Sequence, residues 1–444
     1  MHKILNKIFI KIGVNDLRLN SDHITHISWL GWGQFASLFL SLISIKLTTT
    51  IGPSEYGSFV LATSIGGFLT LSFFGPMEQG FIRYYFEFTK SEEDKSAYLI
   101  SILRIIKRSA LVLSIVAFVV ISVAVVIYNQ SLFFWGSAGV LVIISAIANP
   151  FNGLLNAMKL RKEIAIIQTL EKLFIVIFLV VATFVVTMNA SVVMLCVFCA
   201  TGIFLIARVI LFKKQALIIP PLAIIDRIKI DSLKKIMVYS LPFILWGWLS
   251  WFQFNGERWV VKTIVSTSEA GKYGLAASLV NNSIVLVYGV FIQFVLPTIY
   301  SKFSSDITVE RLKGYVLIKI ASIFTFVLFF IFSVFLFLAG DSVIHIISSK
   351  EFIINSSFFL FLTIGLGFFY VGQTLALVGL ALQKPEAYIV PKVVSAIVSM
   401  AGYIAGCYWF GIYGIAYAVC IANAFYLISI YFVNIRLLKS INIQ

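Results

Sequence analysis

Ser54-Glu55-Tyr56-Gly57-Ser58-Phe59-Val60-Leu61-Ala62-Thr63-Ser64 and Ser268-Glu269-Ala270-Gly271-Lys272-Tyr273-Gly274-Leu275-Ala276-Ala277-Ser278 are two versions of one stretch, agreeing at both serines, Glu, Gly, Leu and Ala. They stand 214 positions apart, close to half of the 444-residue chain. The same offset carries Gly75 onto Gly289 and Gln79 onto Gln293, so the register holds through a further helix length without a gap. A chain made of two similar halves builds each on one plan and places its working surface between them.

Composition sets the medium in which these halves fold. Apolar residues make up 60% of the chain, charged ones 12%, and the mean hydropathy is +1.00, too apolar for the surface of any soluble domain of this length. The chain is expected to be an all-α integral membrane protein. Apolar runs of about 20 residues, the length that crosses a bilayer core, occur at 26–50, 57–82, 108–128, 132–156, 164–187, 191–212, 236–265, 271–298, 315–339, 352–378, 389–409 and 411–434. Barrel strands are a poor alternative, because they are about half as long and alternate in polarity, and this alternation is absent here.

The net charge of +15 would suit a nucleic-acid partner if the basic residues shared a folded face, but they occupy polar gaps between the spans. No nucleic acid is therefore expected. One set of gaps holds Lys90 and Lys95, Lys159 to Lys162, Arg208 to Lys235, Lys302 to Lys313, Lys384 with Lys392, and Arg436 with Lys439; on the other side the turns near 129, 189 and 410 hold none, with Lys272 and Lys350 the exceptions. The positive-inside rule then places both termini in the cytoplasm. Six spans per half return the chain to its starting side, so both halves share an orientation. The expected division is an N-terminal six-helix lobe at 1–212, a cytoplasmic basic linker at 213–235 and a C-terminal six-helix lobe at 236–444, around a central cleft. Ile4, Leu5, Ile8, Phe9 and Ile12 interleave with Lys3, Lys7 and Lys11 as in a helix lying on anionic membrane lipids.

Ionisable residues inside spans are costly in hydrocarbon and tend to face a protein interior or a watery cavity. The seventh span carries Ile244, Trp248, Trp251, Asn255, Arg258 and Lys262 at helical spacing, a stripe running from apolar through aromatic to cationic. The bland alternative is snorkelling of Arg258 and Lys262 to the headgroups. Lys46 of the first span falls, by the repeat, between those two cations, and Gln293 adds a polar group from the eighth span. Glu78, just after Gly75-Pro76, is a candidate for gating or ion coupling, as are Glu257, Arg83 and Lys172. Cys196 and Cys199 lie in an apolar run without a nearby His, so they read as packing residues and no metal site is expected.

The turn "GPSEYG" (Gly52 to Gly57), the span end "FIRYYF" (Phe81 to Phe86), the basic loop after it and the stretch "YSLPFILWGWLSWFQFNGERWVVKTIVSTSEAGKYGLAASL" (Tyr239 to Leu279) together carry a family likeness. The chain resembles the polysaccharide repeat-unit flippases, the O-antigen or Wzx-type translocases of the multidrug/oligosaccharidyl-lipid/polysaccharide exporter superfamily. The likeness spans essentially the whole chain. Its most specific parts are Ser240-Leu241-Pro242, the pair Glu257-Arg258, where the family more often has Asp before the Arg, and Gly271 to Gly274.

The resemblance implies a transporter rather than an enzyme. It would flip undecaprenyl-pyrophosphate-linked oligosaccharide across the bacterial cytoplasmic (inner) membrane by alternating access, with Arg258, Lys46 and Lys262 meeting phosphate, the aromatic faces of Trp248 and Trp251 meeting sugar, and Asn255 and Gln293 completing the cleft. No cofactor is implied beyond coupling to a proton, to sodium or to the membrane potential. A polysaccharide polymerase and chain-length proteins are the implied partners besides the lipid-linked oligosaccharide. A lipid II flippase needs much the same cavity and stays open as an alternative. A multidrug/cation antiporter would need an acidic cavity, and a membrane glycosyltransferase an acidic or His cluster on a sizeable outer loop.

Overall fold

The computed structural model describes residues 21–89, 91–126, 131–158, 160–216, 230–303, 308–382 and 384–439. The expected interfacial helix at the N-terminus and most of the expected basic linker lie outside the described residues. The helices are α1 (Ser21–Thr48), α2 (Pro53–Leu69), α3 (Gly75–Phe88), α4 (Glu92–Val126), α5 (Leu132–Ala157), α6 (Arg161–Val185), α7 (Ala190–Ala216), α8 (Ile230–Phe254), α9 (Gly256–Ile264), α10 (Thr267–Val280), α11 (Leu286–Phe303), α12 (Thr308–Ile347), α13 (Ser356–Leu375), α14 (Leu377–Ala381), α15 (Ile389–Phe410) and α16 (Ile412–Lys439). Among the described residues there is no strand.

Local chemistry explains where the helices turn. Gly52, at φ +83°, closes the turn after α1, and Pro53 then opens α2 at a position where no N–H is needed. Ser131, Ser266 and Asn355 cap α5, α10 and α13 through their side-chain oxygens. π segments at Thr70–Phe74 and Asn281–Val285 join α2 to α3 and α10 to α11. The first has a visible cause: Pro76 cannot donate to the carbonyl four residues back, and the widened turn lets Gly75 N–H reach the Thr70 carbonyl instead.

Ten stretches of described residues are long and apolar enough to cross a membrane. The expected seventh and eighth spans are the other two crossings, and each is composite. The seventh breaks between α8 and α9 at Asn255 (φ −139°, ψ −21°), and the eighth is α10, a π segment and α11. The expected third and ninth spans, 108–128 and 315–339, extend as α4 and α12 to 35 and 40 residues. Bulky apolar side chains stand exposed along both, from Leu111 to Val126 and from Ile323 to Leu338, as lipid-facing helices require. Two basic residues assigned to loops are instead inside helices: Arg208 in α7 and Lys392 in α15 are both buried. Each has partners that offset the loss of water, described below.

The first half packs through α1 on α6, α5 on α7 and α2 on α5, and the second through α12 on α13, α13 on α16 and α15 on α16. The two copies of the repeated stretch meet face to face. A Cβ on Gly57 would strike the backbone of Thr267 and Gly271, one on Gly271 would strike Pro53 and Gly57, and Gly274 touches Val60. These pairs, 57 with 271 and 60 with 274, keep the 214-residue offset, so α2 and α10 run parallel and in register. Antiparallel copies, as an inverted repeat demands, could not make both contacts. The halves are therefore related by a same-orientation repeat whose axis passes between these glycines.

Candidate functional site

With twelve alternating crossings, the starts of α1 and α8 share a terminal face with the end of α16, and the Gly57–Gly271 contact lies toward the opposite, distal face. On the terminal side of that contact the halves are joined unequally. The seam between α3 and α8 is closed: Gly80 lies against Ser240 and Ile236, and Gly247 lies directly on the Leu71 carbonyl of the first π segment. The opposite seam, between α1 and α11, has only sparse contacts.

The seventh crossing bridges the halves. Trp251 Nε1 donates to the Ser64 main-chain oxygen (2.7 Å) and Trp259 Nε1 to Ser64 Oγ (2.9 Å), so one serine of α2 holds two tryptophans on either side of the break. Phe68 stands edge-on to Trp251 (5.2 Å) and beside the exposed Trp248 (6.3 Å), while Asn255 faces Gly67. Trp248, Trp251 and Asn255 are thus brought together at the inter-half surface. Arg258 and Lys262 do not continue the stripe along one straight helix, because the break at Asn255 re-aims α9.

Arg258 is half-buried where α9 meets α2 and α10, close to Tyr56, Tyr273 and Glu257. Its Nε has no hydrogen-bond partner. Glu257 turns inward, 3% exposed, against the Tyr273 hydroxyl, with Oε2 unpartnered. Lys262 is exposed in the last turn of α9, over the Trp259 ring (5.3 Å). Lys46 does not share their space. Its Nζ donates to the Ser348 carbonyl (2.6 Å) and the His345 carbonyl (3.4 Å), the free carbonyls at the end of α12, where a cation is favoured. The stretch beside it continues the join: Ser349 N–H donates to Thr49 Oγ1 (3.2 Å), Ser349 Oγ to the Thr49 carbonyl (2.9 Å), and Phe352 packs edge-on to Tyr56. The distal face is therefore sealed across the halves.

The gating candidates are dispersed. Glu78 points at Gly153 of α5, inside the first half. Arg83 is exposed on α3, at the terminal end that also holds a 490 Å³ cavity lined by Tyr84, Lys234, Lys235, Val238 and Tyr239. Lys172 is half-buried on α6. Gln293 belongs to α11, and its side chain lies outside the described residues. A second cavity of 280 Å³ runs between α2 and α5 past Thr63, Gly67, Thr70, Ser145 and Asn149.

Two polar clusters escaped the sequence reading. In the first half Arg208 donates from Nε to Asn152 Oδ1 (2.9 Å) and pairs through Nη2 with Glu171. In the second half Lys392 Nζ donates to Gln253 Oε1 (2.8 Å), and Gln253 Nε2 donates to Ser395 and Asn423 (3.1 Å each). The available signal was position: Arg208 sits in the run "IFLIARVILF" and Lys392 in "YIVPKVVSAIV", both too apolar for loops.

No protein-family model matches the sequence, and no curated protein is significantly similar to it. Solved structures are similar in fold. An inward-facing multidrug-resistance MATE transporter of the MOP superfamily has a TM-score of 0.69 at 11% identity, over 91% of this chain and 95% of the other. A lipid II flippase MurJ in an inward closed conformation scores 0.66 at 17% identity, over 92% and 87%. A MOP superfamily transporter from Pyrococcus furiosus, described as having a binding pocket of reverse polarity, scores 0.61 at 12% identity, over 93% and 95%. The chain thus has the two-halved helical fold of the MATE and MurJ transporters of the MOP superfamily.

Proposed function

We propose that this protein flips an anionic, glycan-bearing lipid, an undecaprenyl-pyrophosphate-linked oligosaccharide repeat unit, across the bacterial cytoplasmic membrane by rocking residues 1–212 against 236–444. The observation that carries this reading is the polarity of the seventh crossing. It offers Trp248, Trp251 and Asn255 to the other half with Arg258 beyond them, while the acid next to Arg258, Glu257, is turned into the protein. Such a wall suits hydroxyl-rich sugars and phosphate and repels a cationic drug.

The physical task is desolvation. Moving a pyrophosphate and a sugar headgroup through bare hydrocarbon would cost many kcal/mol, and a polar cleft removes most of that barrier. The weakly joined seam between α1 and α11, with Trp32, Phe35 and Phe39 exposed on α1, is where a polyprenyl tail would stay in lipid while the headgroup enters. The basic, aromatic-lined cavity at Tyr84, Lys234, Lys235 and Tyr239 would meet the headgroup first, on the cytoplasmic side if the charge bias sets the orientation. The contacts of Lys46 and Thr49 with Ser348 and Ser349 would close the exit in this state.

Lipid II makes the same demands on a cleft, so the test has two arms. Lipid-linked repeat units and lipid II are each quantified by membrane leaflet in cells with and without the protein. Accumulation of repeat units in the inner leaflet on its removal supports the proposal. Accumulation of lipid II alone transfers the role to that substrate, and accumulation of neither refutes lipid flipping.

A further inference from the structure

Lys392 is buried with a single oxygen in reach. Its side chain is 1% exposed, on the first turn of α15, and Nζ donates to Gln253 Oε1 (2.8 Å). Around it stand the rings of Trp246, Phe254, Phe369 and Tyr426, with centroids 4.9 to 5.9 Å from Nζ. Gln253 cannot turn to accommodate a change, because its amide nitrogen is committed to Ser395 and Asn423 and its main-chain oxygen accepts from Tyr403 (2.7 Å). An ammonium has three N–H groups and a neutral amine two with a lone pair, so the two forms fill this cage differently.

Among the described residues, none that the amine faces carries an opposing charge. From α8 the amine faces Trp246, Gln253 and Phe254, from α13 Phe369, from α16 Tyr426 and Asn423, and from its own helix Ser395. Among the described residues no carboxylate pairs with it. The titratable side chains nearby are the hydroxyls of Tyr426, Tyr403, Tyr388 and Tyr370, and beyond Tyr403 come Glu257 and its neighbour Arg258. Three cage residues belong to α8, the helix whose Trp251 reaches across to Ser64 of the other half. A change at the amine therefore acts on the helix that bridges the halves.

We propose that Lys392 is a proton-binding site that couples proton uptake and release to the fit of the seventh crossing, and so to the balance between open and closed arrangements of the two halves. A lysine so enclosed, without a counter-ion, is a group whose charge state and packing must change together. The proposal rests on the reading that the halves move against each other, and its test uses no lipid substrate.

Spin labels at Thr50→Cys and Lys350→Cys, both exposed on the distal face, report the separation of the halves once Cys196, Cys199, Cys407 and Cys420 are replaced by Ser. The full chain is placed in lipid nanodiscs, and pulsed electron paramagnetic resonance distances are taken between about pH 5 and pH 9. The expected result is a minor distance population that changes at least about threefold across this range. In Lys392→Met, and in Lys392→Arg, which stays charged throughout, the distribution is constant with pH. Lys319→Met, which removes an exposed lysine of α12 outside the cage, keeps the unsubstituted protein's dependence. A pH-independent distribution without substitution overturns the proposal, as does normal dependence in either Lys392 variant, or its loss in Lys319→Met. If the leaflet assay succeeds while these distances ignore pH, the proton site alone is withdrawn.

Discussion

Arg208 and Lys392 bury a cation in each half by different means, one with a carboxylate and the other with rings and an amide. Removing one partner of a buried ion pair leaves the other uncompensated, so Glu171→Ala should destabilise the protein by about 3–5 kcal/mol. The double change Arg208→Met with Glu171→Met should recover most of that loss, as measured by thermal unfolding in detergent. Arg258 is a different case, with an unpartnered Nε at the inter-half surface. Arg258→Ala should abolish glycan export at near-normal protein abundance, and Arg258→Lys should restore only part, because a point charge replaces the planar fork. Normal export by Arg258→Ala at native expression would remove the phosphate role given to it. Helical spacing puts Trp248, Trp251 and Asn255 on one surface, and in the structure all three lie against α2. It could not group Lys46 with its partners, because the carbonyl that Lys46 holds is 302 positions away.

Helices in this protein approach most closely where glycine removes the side chain. Gly57 and Gly271 face each other's backbones, so Gly57→Val or Gly271→Val overpacks a contact that cannot spread without parting the halves. Each should cost at least about 1–3 kcal/mol and lower the unfolding temperature, whereas Gly136→Ala, with nothing near its would-be Cβ, should be neutral or slightly stabilising. Equal effects at all three positions would refute the close-packing account. The ten crossings that are long and apolar enough to span follow from apolar run length, which is a local property of the chain. The break at Asn255 does not, since that stretch reads as one span; it arises where Gln253, Glu257 and Tyr403 find partners that a straight helix would deny them.

For the whole molecule, the distal face is sealed while the α1–α11 seam is sparse, and under the proposed rocking this arrangement is one of two states. Thr49→Cys with Ser349→Cys should form a disulfide on oxidation that stops export, and reduction should restore it; continued export by the cross-linked protein would show that this face need not open. Cysteines at Lys95, Ile225 and Asp306 should be labelled only from the cytoplasm, and labelling of any of them from outside would reverse the orientation read from the charge bias. The sequence alone determined the membrane setting, the helical class and the two-part plan, because span length, charge bias and an internal repeat are properties of a line of residues. Tertiary structure alone decided that the two copies meet at Gly57 and Gly271, that Lys46 binds the end of α12, and that Lys392 lies among rings of three other helices. Those facts depend on how each helix is rotated and which neighbour it meets, and in an apolar chain exposed to lipid on one side and protein on the other, hydrophobic periodicity is too weak to state either.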